Sequence, residues 1–74
     1  MLLPFFNKSE KPLHLQIEPY FAEYVVPAGG GANVTLDDGH PHSIDYHEDG
    51  FVVVWNEGLT PAVVEIIEGP SERA

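Results

Sequence analysis

The chain has 74 residues and carries a formal charge of −9, from 12 carboxylates against 3 basic side chains, with no cysteine. Disulfides, iron–sulfur clusters and cysteine-based zinc sites are therefore excluded. With no Lys or Arg between Lys11 and Arg73, the electrostatic drive for binding nucleic acid or an anionic membrane surface is missing.

So short a chain is one domain or part of one. It hides only about 60% of the surface its unfolded form exposes, so an added stabiliser such as self-assembly or a metal is expected. No apolar run approaches the ~20 residues of a membrane span. The apolar start, Met1 to Phe6, lacks the basic flank and cleavage site of a signal peptide and reads as a strand. The absence of cysteine fits a cytoplasmic location.

No stretch has helical periodicity over a useful length, and seven prolines, at 4, 12, 19, 27, 41, 61 and 70, leave little room for a helix. What recurs is a short β-rich run followed by turn residues. Leu2 to Asn7 is the first expected strand. The second, Leu13 to Glu18, alternates strictly, with Leu13, Leu15 and Ile17 inward and His14, Gln16 and Glu18 outward. Phe21 to Val26 follows, and Gly29-Gly30-Gly31 reads as a flexible connection. It is no phosphate loop, because neither a Lys-Ser/Thr pair nor a helix comes after it.

Ala32 to Leu36 is the fourth strand, with Val34 and Leu36 on one face, and from there a meander is expected. His42 to His47 points Ile44 and Tyr46 inward, and Glu48-Asp49-Gly50 is a tight hairpin turn. Phe51 to Trp55 is apolar on both faces and belongs in the middle of a sheet. Ala62 to Ile67 is the last strand. Gly69-Pro70 ends the fold, and residues 71–74 form a frayed tail. The expected fold is all-β: a compact antiparallel β-sandwich or partly open barrel of about seven short strands, filling residues 1–74 as one domain.

Two regions are candidates for function. The segment Gly39 to Gly50 gathers His40, His42, His47 and Glu48, and imidazole with carboxylate suits a divalent transition metal. Its Gly, His-x-His and carboxylate order resembles the cupin metal motif, which implies a cupin-like miniature enzyme. It departs from that motif in lacking residues between Gly39 and His40, and in the five residues between His42 and Glu48. His47 also has the opposite strand parity to His42. Pro41 favours a polar turn with exposed histidines and no cofactor. Asp37-Asp38 and Glu48-Asp49 read as solvated turn carboxylates, so catalytic residues are not assigned.

The second region is a set of interface candidates: Glu18, Tyr20, Glu23 and Tyr24 around Pro19, and Val63 and Ile67, on the face of the last strand opposite Ala62, Val64 and Ile66. Two strands apolar on both faces cannot both be covered by so short a chain. A homo-oligomer is therefore expected, with a further protein partner as an extension of the same reading.

The pattern Leu13 to Tyr20 followed by Glu23 to Gly29, with its Glu-Pro-aromatic step and Pro-x-Gly turn, resembles short bacterial proteins of unknown function. It covers roughly residues 7–36, implies a small β-sandwich, and supplies no catalytic residue. The first-choice function from sequence is thus a non-enzymatic module acting through self-association and protein binding.

Overall fold

A computed structural model describes residues 1–68, and the expected terminator Gly69-Pro70 and tail 71–74 lie outside them. The described residues form seven strands and no helix: β1 (Leu2–Phe6), β2 (Leu13–Glu18), β3 (Ala22–Val26), β4 (Gly31–Thr35), β5 (His42–His47), β6 (Phe51–Asn56) and β7 (Val63–Ile67). The expected strands appear within one residue of these bounds, because period-two alternation and prolines mark strand limits directly.

The strands make two sheets, one ordered β1-β4-β7 and the other β3-β2-β6-β5. They stack as a sandwich that does not close into a barrel. Leu15, Ile17, Val26, Val34 and Val54 are fully buried between the sheets, joined by Phe5, Ala32, Leu36 and Val52. β2 and β6 lie side by side and parallel at the centre of the four-stranded sheet, where the two-sided apolar run of β6 belongs.

The expected meander is not what forms. β5 and β6 pair as a hairpin, but β4 pairs with β1 and β7, so residues 37–41 and 57–62 each cross from one sheet to the other. Alternation shows which face a strand buries, not which strand it pairs with. In the β5–β6 turn Asp49 and Gly50 both take positive φ, 68° and 70°, as the Asp-Gly pair requires.

The glycine triplet is not a free connection. Gly30 and Gly31 are buried, and Gly31 opens β4. A Cβ on Gly31 would fall 2.7 Å from the Phe5 carbonyl oxygen and 3.5 Å from the Phe6 ring. The missing side chain lets β1 approach and lets the Phe6 ring lean over β4.

Polar side chains fasten both ends of the sandwich, Asn7 at one and Asp37 at the other, where buried Asn56 also donates to the Thr60 carbonyl and accepts from the Gly58 amide. At one end Asn7, 5% exposed, donates from Nδ2 to the carbonyls of Lys11, Val26 and Pro27 at 2.8, 3.1 and 3.2 Å. Its Oδ1 accepts from the Ser9 amide and hydroxyl at 3.1 and 2.8 Å. At the other end Asp37 joins the two crossing loops. It accepts from the Leu59 and Thr60 amides at 2.8 and 2.9 Å and from the Thr60 hydroxyl at 2.7 Å. The carboxylates at 37 and 38 are solvated as expected but not unpaired, since Asp38 also pairs with the Met1 ammonium at 2.6 Å.

The Thr60 hydroxyl, then the Thr60 and Leu59 amides, hold the Asp37 carboxyl below the ordinary carboxylate value. A carboxyl whose pKa is lower folded than unfolded stabilises the fold above the unfolded value. That contribution is lost as pH falls through the folded value. Asp37→Asn is therefore expected to lower the melting temperature at neutral pH, with the deficit shrinking in acid. Thermal denaturation across that pH range checks this, and a deficit independent of pH would contradict it.

Candidate functional site

The segment 40–49 does not gather its histidines. His40 lies in the crossing loop before β5, and His42 and His47 stand at opposite ends of β5 on opposite faces. The His47 ring is 5.5 Å from that of Phe51, its cross-strand neighbour, and Glu48 is exposed in the hairpin turn. Among the described residues no three His, Cys, Asp or Glu side chains come together in a way that could hold a metal ion. Tyr46, expected inward, is 74% exposed. β5 is the edge of a four-stranded sheet facing a three-stranded one, so the inner side of its second half is uncovered. A shallow cleft of about 280 Å³ lies between Ser9, Lys11 and Pro12 on one side and Asp49 and Gly50 on the other.

The interface candidates around Pro19 also separate. Glu18 has the expected outward parity but is buried at 6% exposure, and accepts a hydrogen bond from Gln16 Nε2. Tyr24 turns inward and packs against the core. Tyr20 is exposed at the β2–β3 hairpin tip, and Glu23 is exposed with its carboxylate 3.9 Å from His14 Nδ1. Phe21 beside Tyr20 is exposed with φ 57°, a left-handed conformation rare for a bulky residue. No pattern in the sequence signals it.

Val63 and Ile67 belong to a different surface, the outer face of the three-stranded sheet. Register and alternation place three rows there: Leu2, Thr35 and Val63; then Pro4, Asn33 and Glu65; then Phe6, Gly31 and Ile67. Phe6 is 73% exposed, Val63 67%, Leu2 58% and Ile67 42%. Sequence reasoning found the β7 pair but missed Leu2 and Phe6. Their alternation in β1 was readable, but the pairing of β1 and β7 on either side of β4 was not.

The outer face of the four-stranded sheet behaves differently. Its central apolar residue Val53 is 8% exposed, lying in register between Gln16 and Asp45. Neighbouring side chains cover that centre, while Trp55 at 41% and Val25 at 51% stay exposed towards the rim of the same face. Comparison with protein families, with curated proteins and with solved structures finds no match for this chain. The fold and its surfaces define the class of protein as a small two-sheet β-sandwich. Among the described residues no helix is long and apolar enough to cross a membrane.

Proposed function

We propose that this chain is a self-associating β-sandwich module whose function is assembly and protein binding rather than catalysis. The observation that carries this is the outer face of the three-stranded sheet, with Leu2, Phe6, Val63 and Ile67 all exposed. Four exposed apolar corners around a middle row of Pro4, Asn33 and Glu65 give a small, uncrowded sheet face that a flat partner surface can cover. The cysteine-free composition fits the same role in the cytoplasm.

The occupant best suited to the face is a second copy of the chain. Among the described residues on this face Glu65 alone is charged, although the whole chain carries −9. Two copies can thus approach here with less repulsion than a random encounter would meet. The face measures about 14 by 17 Å from strand spacing and rise, roughly 240 Å² and so under a third of the ~800 Å² per partner of a standard interface. A weak, transient dimer with a dissociation constant of about 100 µM or above is expected.

Sedimentation equilibrium from about 1 to 500 µM tests this, with dimers expected to fill in towards the top of that range. Because both copies are strongly negative, added salt is expected to tighten the dimer by screening their long-range repulsion. A monomer at the highest concentration, at low and at high salt, would contradict the proposal.

A further inference from the structure

Resting on that reading of self-association, we infer that the two copies are related by a two-fold axis running parallel to β4, so that β1 of each copy lies across β7 of the other. Two copies meeting face to face must be exchanged by a two-fold axis lying in the plane between them. The sheet offers two natural directions for it, along β4 or across the strands. Packing of aligned sheets at about −30° keeps residues near the centre close to either ideal arrangement.

Both directions cover apolar residues with apolar residues. With the axis along β4, the rows are kept and the strands exchanged, so Leu2 meets Val63 of the second copy and Phe6 meets its Ile67. With the axis across the strands, the rows are exchanged and each strand meets itself, so Leu2 meets Phe6 and Val63 meets Ile67. Apolar matching does not separate the two.

Glu65 does. It sits in the middle row on β7, opposite Pro4 on β1, with Asn33 between them. An axis across the strands maps β7 onto β7 and the middle row onto itself, so the two Glu65 carboxylates confront each other in a gap of about 10 Å between sheets. An axis along β4 sets each Glu65 over the second copy's Pro4. The Glu65 backbones then stand about 14 Å apart and the carboxylates about two strand spacings, ~10 Å, a full screening length at ~0.1 M salt instead of in direct contact. Asn33 falls on the axis in this arrangement, one strand from the Glu65 of the second copy. Its amide can donate there, while Glu65, on an edge strand, keeps access to water. Charge therefore selects the axis along β4.

The test is a charge placed at Pro4, an exposed position on an edge strand. In the inferred dimer Pro4→Lys faces Glu65 of the second copy. It is expected to tighten dimerisation about two- to five-fold at low salt, the range of a rim ion pair. With the axis across the strands it would face another lysine and weaken the dimer. Glu65→Gln provides the second measurement: under the inferred axis it removes a separated charge and changes the dissociation constant by less than about two-fold, whereas under the other axis it relieves a direct repulsion and tightens it about two- to five-fold. A dimer that Pro4→Lys weakens or leaves unchanged, or that Glu65→Gln tightens, overturns the inferred axis while self-association stands. A wild-type chain that is monomeric throughout overturns both.

Discussion

Leu15→Ala is expected to remove much or all of the chain's stability at 25 °C. Leu15 is fully buried on the inner face of β2, in register between Tyr24 on β3 and Val52 on β6. The wall it supports is therefore built from three strands at once. Truncating a buried leucine to alanine costs about 2–5 kcal/mol, from the lost transfer energy and the cavity left behind. A core in a chain this short supplies only ~3–5 kcal/mol of net stability. The two figures overlap, so the substitution removes most or all of the margin. Collapse of amide dispersion in an NMR spectrum and loss of the near-ultraviolet Trp55 signal would show it. Leu15→Met keeps the volume, costs less than about 1.5 kcal/mol, and should remain folded. A Leu15→Ala chain that stays folded with an unchanged denaturation midpoint would show that β2 does not organise the core.

Asn7→Ala is expected to be the most damaging polar substitution, at about 2–3 kcal/mol. One amide group serves three carbonyls and two donors from Ser9, and so ties the β1–β2 loop to the β3–β4 loop. Each net hydrogen bond contributes about 1 kcal/mol, and buried carbonyls left without a donor add their own desolvation cost. For a domain of this size that is a fall in melting temperature of about 10–20 °C, read by thermal denaturation. Asn7→Asp should be worse still at neutral pH, because it turns a carboxylate oxygen toward the same three carbonyls. If Asn7→Asp were as stable as the wild type, the three donated bonds could not be contributing as described.

The strands of this protein are legible in its sequence because two local signals agree. Leu13-His14-Leu15-Gln16-Ile17 alternates, and turn residues bound every run. The pairing of strands is less legible, since the turn that makes a hairpin and the turn that crosses between sheets use the same residues. Residues 48–50 do the first and residues 37–41 the second. Side-chain fates set by long-range contacts were hidden as well. Asn7 reads as the end of a strand and Asp37 as an ordinary turn residue, yet their partners lie up to 20 and 23 positions away. Tyr46 has the parity of a core residue, but whether that side is covered depends on there being three strands opposite four. The candidate surface was half visible for the same reason. Val63 and Ile67 stand out as apolar residues with the wrong parity, while Leu2 and Phe6 acquire meaning once β1 and β7 flank β4.

The most direct test of the central claim, that this face is covered by a second copy, is an isotope-filtered NMR experiment on a mixture of ¹³C-labelled and unlabelled chains at high concentration. The expected result is an intermolecular Overhauser contact between the Phe6 ring of one copy and the Ile67 methyl groups of the other. Intermolecular contacts confined to other surfaces, such as the Tyr20–Phe21 hairpin tip, or none in a sample that sediments as a dimer, would contradict it.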